Sequence, residues 1–220
     1  MVDPIVVVGA GGFGRETVDV IQAINDASAS QVWELAGVVD DNPSELSLQR
    51  LESRGIEHLG GLDDLIAHPD RPAYVVGIGS PAIRKKIADR LDAVGFQPAT
   101  LVHPDATVGS ACAIGEGTVI LAGARLTTNI ALGRHVHLNP NATVGHDTVL
   151  RDFVSMNPSS SVSGDCVVGE GALIGVHAVV LNQRQIGAWA VVGAAACVVK
   201  NVSERAVVVG VPAVERERTA

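Results

Sequence analysis

The feature that most constrains this chain is an aliphatic residue that returns at every sixth position between residues 102 and 198. The residue four places later is usually small, and the residue directly after the aliphatic one is often Gly or Asn. Neither an α-helix nor a strand meander repeats every six residues. Seventeen consecutive hexads open in this way, at Val102, Val108, Ile114, Ile120, Leu126, Leu132, Leu138, Val144, Leu150, Met156, Val162, Val168, Ile174, Val180, Ile186, Val192 and Val198.

A period of six is typical of a parallel β-helix, in which each hexad supplies one short strand and one corner. The aliphatic and the small residue both point into a narrow prism. We interpret the Gly or Asn after the aliphatic residue as the residue that adopts the backbone angles of the corner. With three hexads per coil, the repeat predicts between five and six coils. Arg184 occupies a small-residue position within the polar segment 182–185, so we expect a bulge or a short loop there.

The first hundred residues alternate between strand and helix patterns. Apolar runs at 5–8, 35–39 and 74–78 predict buried strands, and helical patterns follow the first and the third of them. Such alternation predicts a small parallel sheet covered by helices. The sequence therefore predicts an α/β Rossmann-like domain over residues 1–98 and a β-helix domain over residues 99–220.

A glycine-rich turn follows the first strand. Gly9, Gly11 and Gly14 have the spacing of a dinucleotide-binding turn, and Asp40 and Asp41 end the next strand. Glycines let backbone amides approach a phosphate, and an acid can hold a ribose hydroxyl. The alternative is a strand-to-helix turn that needs glycine and binds nothing. An NAD-dependent enzyme is a further alternative, although the domain lacks a second mononucleotide-binding half.

Charge and composition exclude other classes of function. The net charge is −8 and no basic cluster is present, which argues against nucleic acid as a partner. We find neither a signal peptide nor an apolar run that could span a bilayer, and we expect a cytoplasmic protein. Cys112 and Cys166 lie at inward small-residue positions, so we expect reduced, packed thiols.

The two regions together resemble the bacterial hexapeptide-repeat sugar acetyltransferases of the sialic acid O-acetyltransferase type. That family includes the nucleotide-sugar N-acetyltransferases of bacillosamine-type sugars. The resemblance covers nearly the whole chain. The segments that carry it are 8–16 (VGAGGFGRE), 39–41 (VDD), 77–80 (GIGS), 83–87 (IRKKI), 145–147 (GHD), 163–165 (SGD) and 210–213 (GVPA).

The resemblance implies a left-handed β-helix and a homotrimer with active sites between neighbouring subunits. It also implies that the N-terminal domain binds a nucleotide-linked amino sugar. Gly11, Gly12 and Phe13 are implied near the phosphates or the sugar, although some relatives have His at the position of Phe13. The remaining residues implied in substrate binding are Asp40 and Asp41 at the nucleoside, Gly79 and Ser80 on the other side of that pocket, and Asn139 near the active site.

His146 matches the general base of the family, and the repeat supports this assignment independently. It is the third residue of its hexad and therefore lies at a corner, while Gly164 stands one full coil of eighteen residues later. A histidine beneath a glycine leaves a notch in which an acyl thioester could lie. The resemblance implies that Asp147 follows the base and either orients the imidazole or favours its protonated form, and that the Gly164 N–H binds the acetyl oxygen. A solvated corner histidine and a plain polar aspartate are the alternatives.

For acetyl-CoA, the resemblance implies a groove formed by the last coils of the neighbouring subunit. Ser155 stands where relatives often have a second histidine near the thioester. The other candidates are Gly164, Gly175, Ala194 and Lys200, the last for a phosphate. We expect no metal, because the close histidine pair, His135 and His137, is two residues apart rather than the five that the γ-class carbonic anhydrases use.

The sequence thus predicts an acetyl-CoA-dependent transferase that acts on the amino group of a nucleotide-linked amino-deoxy sugar. We expect direct attack of the amine on the thioester, because neither Ser nor Cys evidently pairs with His146 as a nucleophile. The alternatives are a sugar O-acetyltransferase, which would need the same base, and a non-catalytic β-helix protein that binds a nucleotide sugar.

Overall fold

A computed structural model describes residues 2–216 of the chain. The chain divides into two compact units, Met1–His103 and Pro104–Ala220. This division lies a few residues beyond the boundary at residue 98 that the sequence suggests. Among the described residues, no helix is long and apolar enough to cross a membrane.

The first unit is built around a three-stranded parallel sheet in the order β2-β1-β3. Its elements are β1 (Asp3–Val8), α1 (Gly12–Ala27), β2 (Trp33–Val39), α2 (Glu45–Glu52), α3 (Leu62–Ile66), β3 (Ala73–Val76), α4 (Pro81–Ala93) and the short strand β4 (Leu101–Val102). Strand order changes direction between β1 and β3, which is where open α/β sheets bind ligands at their carboxyl edge.

The central strand shows why this sheet is buried on both faces. Successive residues of a strand point to opposite faces, and all four residues from Ile5 to Val8 are at most 3% exposed. Val6 and Val8 pack with Leu62 of α3 and Leu91 of α4 in one core cluster. The continuous apolar run of β1 is therefore what a doubly covered parallel strand requires.

The second unit consists of short strands, which follow one another every six residues as far as residue 198. They are β5 (Thr107–Val108), β6 (Ala113–Ile114), β7 (Val119–Ile120), β8 (Arg125–Leu126), β9 (Ala131–Leu132), β10 (His137–Leu138), β11 (Thr143–Val144), β12 (Val149–Leu150), β13 (Ser155–Met156), β14 (Ser161–Val162), β15 (Val167–Val168), β16 (Leu173–Ile174), β17 (Val179–Val180), β18 (Gln185–Ile186), β19 (Val191–Val192), β20 (Cys197–Val198), β21 (Val207–Val209) and β22 (Val214–Glu215).

From β5 to β20, each strand pairs in parallel with strands eighteen residues away, so three hexads make one coil, as predicted. Thr143, for example, lies between Arg125 and Ser161. At the end of the chain, β21 pairs with β19 at a spacing of sixteen residues, and β22 pairs antiparallel with β21. The first face contains β7, β10, β13, β16, β19 and β21, the second β5, β8, β11, β14, β17 and β20, and the third β6, β9, β12, β15 and β18. Val144, Leu150 and Met156, one from each face, are 0% exposed, which confirms that the aliphatic positions fill the prism.

The glycines that follow the aliphatic residues do not adopt the special backbone angles of the corner, contrary to our interpretation of the sequence. Positive φ angles occur three places after the aliphatic residue, in fifteen consecutive hexads from Ala111 to Ala195, and only three of these residues are Gly. Gly145, directly after Val144, has no positive φ. A Cβ at Gly145 would instead lie 2.5 Å from the backbone N of Gly164 in the next coil. Glycine at that place permits close stacking of coils rather than a special backbone angle.

The expected bulge at residues 182–185 is wrong. Gln183 has the corner φ of 62° found in the other coils. Gln185 and Ile186 pair in regular order with Val167 and Val168. Because the backbone carries the ladder, with the Val167 N–H donating to the Arg184 carbonyl at 3.0 Å, a large polar side chain does not interrupt the coil.

Candidate active site

His146 lies at the corner between the second and third faces, on the loop between β11 and β12. Its Nδ1 is 2.7 Å from Oδ2 of Asp147, and both side chains are about half exposed, at 50% and 44%. Asp147 has the corner φ of 59°, which turns its carboxylate toward the preceding imidazole. An imidazole whose Nδ1–H is held by a carboxylate presents Nε2 as a proton acceptor.

The Asp147 carboxylate has a second partner that the sequence did not suggest to us. Asn129 Nδ2 donates a hydrogen bond to Oδ1 of Asp147 at 2.5 Å. This bond, followed by the bond to His146, holds the pKa of the Asp147 carboxyl below its ordinary value of 3.8. The signal that could have identified Asn129 is its position eighteen residues before Asp147, which is one coil of the repeat.

Gly164 covers the imidazole, as the eighteen-residue spacing predicts. A Cβ at residue 164 would lie 2.5 Å from both Cε1 and Nε2 of His146. Among the described residues, the Gly164 N–H donates to no protein acceptor, while its carbonyl accepts from the Gln183 N–H at 3.0 Å. The glycine thus leaves a free N–H beside the imidazole, where a side chain would displace the ring.

The nearest thiol in the sequence, Cys166, points into the prism. It is fully buried, and its Sγ donates to the Leu181 carbonyl at 3.2 Å. Burial raises the pKa of this thiol, so it stays protonated near neutral pH. Cys166 therefore packs in the core, as its small-residue position predicts.

Asp165 stands one coil above Asp147. One of its carboxylate oxygens lies within 4.8 Å of ligand atoms of His146 and Asp147, all three residues being exposed. Such a cluster of oxygen and nitrogen atoms could hold a divalent cation, although exposed acidic groups of this kind are common without one. Within the described chain, its most direct effect is to add negative charge beside the imidazole.

The first unit has a cleft at the carboxyl ends of its strands, where the sequence predicts nucleotide binding. It encloses about 500 Å³ of space open to solvent. Among the residues that line it are Gly9, Asp40, Asp41, Ile78, Ile83 and Ile87. The sequence predicts seven residues of this unit to bind the nucleotide sugar, and two of them, Asp40 and Asp41, line the cleft. Gly11, Gly12, Phe13, Gly79 and Ser80 flank it, on the loops that precede α1 and α4 and in the first turn of α1.

Both aspartates of the cleft also bind the protein's own backbone. Asp40 Oδ2 accepts from the Ala10 N–H at 2.8 Å, which ties the end of β2 to the glycine-rich turn. Asp41 Oδ1 accepts from the Leu62 N–H at 2.7 Å at the start of α3. The carboxylates thus order the cleft, and only their remaining lone pairs face a ligand.

The glycines of this region fall into two groups. A Cβ at Gly14 would collide with the Gly9 carbonyl, and a Cβ at Gly77 would lie 2.5 Å from Cα of Gly14, so packing requires glycine at both positions. A Cβ at Gly11, Gly12 or Gly79 would meet no atom within 4 Å, and none of these three has a positive φ. Neither packing nor backbone conformation explains these three exposed glycines.

Arg84 of α4 stabilises the loop that carries Gly79. Its side chain is fully buried, and Nη1 donates to the Ile78 carbonyl at 3.0 Å and more weakly to the Gly79 carbonyl at 3.4 Å. Burial lowers the pKa of Arg84 to about 9, so the guanidinium remains a cation at neutral pH. Arg84 lies in the segment 83–87 that carries the family resemblance, but the sequence assigned no role to it.

The structure does not bring the predicted acetyl-CoA residues to one place within the chain. Gly175 and Ala194 are adjacent at the corner between the first and second faces, since a Cβ at Gly175 would lie 2.7 Å from the Ala194 N. Lys200 follows β20, at the corner that carries His146, and Ser155 is buried in β13 of the first face. Asn139 lies at the same corner as Gly175, and its Nδ2 donates to the Met156 carbonyl at 2.9 Å.

Comparison with curated proteins identifies two related transferases. A GDP-perosamine N-acetyltransferase of Escherichia coli O157:H7 is 30% identical over 144 residues, which cover 66% of this chain and 62% of that protein. A UDP-N-acetylbacillosamine N-acetyltransferase of Bacillus subtilis (strain 168) is 34% identical over 123 residues, 54% of this chain and 51% of that protein. The matches thus span less than two thirds of each relative's length.

Solved structures match the chain over nearly its whole length. The acetyltransferase domain of PglB from Neisseria gonorrhoeae FA1090 has a TM-score of 0.84 and 28% identity, covering 97% of this chain and all of that one. PerB from Caulobacter crescentus, in complex with CoA and GDP-perosamine, has a TM-score of 0.79 and 26% identity, with 99% of each chain covered.

The match to these acetyltransferases confirms the predicted fold, an α/β N-terminal domain followed by a left-handed β-helix. Residues 4–91 also match the model of the PglD N-terminal domain. The first unit is thus similar to the PglD N-terminal domain, and the chain as a whole is similar to the hexapeptide-repeat sugar acetyltransferases that its sequence resembles.

Proposed function

We propose that this protein is an acetyl-CoA-dependent N-acetyltransferase that acts on the amino group of a nucleotide-linked amino-deoxy sugar. The observation that carries the proposal is the His146 imidazole, held by Asp147 through Nδ1 and covered on its other side by Gly164. A base and an unused N–H donor stand together there, and acyl transfer from a thioester requires both.

His146 acts as the general base. As the sugar amine attacks the thioester carbonyl, Nε2 takes a proton from the nitrogen, and the Nδ1–H remains hydrogen-bonded to Asp147. The carboxylate fixes this tautomer and stabilises the imidazolium that forms. Collapse of the tetrahedral intermediate then breaks the carbon–sulfur bond, and the thiolate of CoA leaves.

The Gly164 N–H donates to the acetyl oxygen as negative charge develops on it. This assignment rests on the position of Gly164 beside Nε2 and on the absence of a protein acceptor for its N–H among residues 2–216. The amine attacks the thioester directly, because the buried, protonated Cys166 cannot serve as an acyl carrier.

The cleft of the first unit binds the nucleotide. Helices α1 and α4 begin beside each other at the carboxyl ends of β1 and β3, and neither has an acidic residue in its first turn. Helix N-termini of this kind attract phosphate. A diphosphate that passes close to Gly11, Gly12 and Gly79 accounts for three glycines that the protein's own packing leaves unexplained. PerB, which is similar over its whole length, binds GDP-perosamine and CoA.

We further propose a homotrimer in which a neighbouring subunit completes each active site. The predicted residues support it: Asn139, Gly175 and Ala194 lie at a different corner from His146, so one chain alone does not gather them. Acetyl-CoA would lie along the seam, with Lys200 as a further contact, whereas the buried Ser155 is not open to it within one chain. We place the reaction in the cytoplasm, as the sequence predicts.

The proposal is tested by measuring CoA release from acetyl-CoA with a panel of UDP-, dTDP- and GDP-linked sugars that carry a 3-amino or 4-amino group. Mild alkaline treatment of the product distinguishes an amide, which survives, from an ester, which is cleaved. We expect one sugar to give an alkali-stable product. An alkali-labile product would establish O-acetylation, and binding of a nucleotide sugar without turnover would make the protein a binding module.

A further inference from the structure

A chain of two hydrogen bonds links three residues of two successive coils. Asn129 Nδ2 donates to Oδ1 of Asp147 at 2.5 Å, and Oδ2 of Asp147 is 2.7 Å from Nδ1 of His146. We propose that Asn129 is a positioning residue, which holds the Asp147 carboxylate in the orientation that fixes the Nδ1–H tautomer of His146. The effect of Asn129 on the tautomer does not depend on the reaction. Its effect on turnover rests on the proposed function, in which that tautomer serves catalysis.

The repeat itself brings the two side chains together. Asn129 and Asp147 have nearly the same corner conformation, with φ of 54° and 59°. The Asp147 N–H donates to the Thr128 carbonyl at 3.1 Å, so the two corners stack directly. Side chains that leave equivalent backbone positions in successive coils run side by side, which places the Asn129 amide beside the Asp147 carboxylate.

Asp147 needs a second anchor because it is exposed. An ion pair between solvent-exposed groups contributes little by itself, and its side chains retain rotational freedom. Bonds to both carboxylate oxygens remove that freedom and leave one orientation of the group toward His146. Without Asn129, the carboxylate would be held by His146 alone.

The charges around Asp147 also disfavour an acidic residue at position 129. Asp165, one coil above, brings a carboxylate oxygen within 4.8 Å of ligand atoms of Asp147 and His146. No Lys or Arg of the described chain forms an ion pair with either acid. An amide donates to the carboxylate without adding charge, whereas an aspartate at 129 would repel it. The lowered pKa of Asp147 has the Asn129 bond as its largest cause.

The corner backbone allows a clean test. Asn129→Gly removes the amide at a position with a positive φ, which glycine adopts without strain. Asn129→Asp keeps the size of the side chain and replaces its donor by an acceptor. The matched control is Arg205→Gly, at an exposed corner residue with φ of 58°, which lies at neither of the two corners that carry the proposed site. The full-length protein is used throughout, with circular dichroism to verify folding.

The first measurement is the tautomer of His146, read from its ¹⁵N chemical shifts in a protein with labelled histidine. We expect the Nδ1–H form in the wild type and in Arg205→Gly, a mixture of tautomers in Asn129→Gly, and a larger change in Asn129→Asp. The second measurement is turnover. We expect kcat of Asn129→Gly to fall by about 10- to 100-fold, with KM for acetyl-CoA within about twofold.

The outcomes separate the two proposals. If the tautomer and kcat of Asn129→Gly equal those of Arg205→Gly, the positioning role is wrong. If the tautomer changes as expected but the wild type acetylates none of the sugars, Asn129 has the structural role described here and the proposed function is wrong. A fall in kcat with an unchanged tautomer also overturns the inference, because Asn129 would then act in another way.

Discussion

Gly164 lies so close to His146 that a Cβ on it would be 2.5 Å from Nε2 and 2.5 Å from Cε1 of the imidazole. The two residues are one coil apart, so the repeat sets their contact. A single methyl group can therefore test whether the imidazole must occupy this place, because the ring is the movable partner and the coil backbone is not.

We predict that Gly164→Ala lowers kcat/KM by about 100-fold, since the new Cβ pushes the imidazole from its position and a displacement of about 1 Å can cost that much. The fold should persist, because the half-exposed ring can rotate toward solvent. The thermal unfolding midpoint checks this and should fall by only a few degrees. Activity within threefold of the wild type would show that the position of the ring is unimportant.

Stacking of the coils predicts a different effect for Gly187→Ala. A Cβ there would collide with the backbone N of Glu204 in the next coil, and backbone cannot rotate away. We expect the free energy of unfolding to fall by about 2–4 kcal/mol, measured by urea denaturation. The control is Ala188→Gly, the reverse exchange at the neighbouring residue. It should change the free energy of unfolding by less than half as much as Gly187→Ala.

Gly12→Ala should separate ligand binding from stability. The new Cβ meets no protein atom within 4 Å, and alanine favours the first turn of α1, so stability should stay the same or rise slightly. If the phosphates pass over this residue, the Kd for the nucleotide sugar should rise at least tenfold by calorimetry. An unchanged Kd would remove Gly12 from the proposed binding site.

The Asp147 titration has a defined direction. Its folded-state pKa is lower than the ordinary value of 3.8, so its stabilising contribution is fully present above pH 3.8 and is lost as the pH falls through the lower folded-state pKa. In Asn129→Gly we expect the titration midpoint to rise toward 3.8, because the largest cause of the lowering is gone. The ¹³C shift of the Asp147 carboxyl carbon measures this directly, and an unchanged midpoint would contradict the expectation.

Arg84 and Arg90 on α4 form a matched pair for stability. Arg84 is buried and donates to the Ile78 carbonyl, whereas Arg90 is exposed and pairs with the exposed Asp63. Arg84→Leu leaves buried acceptors without a donor and should lower the free energy of unfolding by about 2–4 kcal/mol. Arg90→Leu should change it by less than about 1 kcal/mol. Equal effects would mean that the Arg84 hydrogen bonds are not important for stability.

The sequence predicts much of this architecture because the repeat is strict. Spacing alone predicts the coils and the stacking of Gly164 over His146. It does not tell which residue of a corner takes the positive φ, because Ala111, Phe153 and Trp189 adopt it as Gly does. The bulge expected around Arg184 failed for a related reason, since the ladder depends on backbone bonds and not on one inward side chain. The same spacing places Asn129 beside Asp147, but it does not tell that the two exposed side chains form a hydrogen bond rather than bind water, so Asn129 was not predicted.

The most direct test of the central claim compares His146→Ala with His68→Ala, an exposed histidine of the first unit, on the sugar that the panel selects. CoA release is measured at saturating acetyl-CoA, and the acetylated sugar is quantified by mass spectrometry. We predict that His146→Ala loses about 10²- to 10⁴-fold in kcat, as expected for a general base, while His68→Ala retains wild-type turnover. Turnover of His146→Ala within a few-fold of the wild type would contradict the account, because the proton would then be removed by another group.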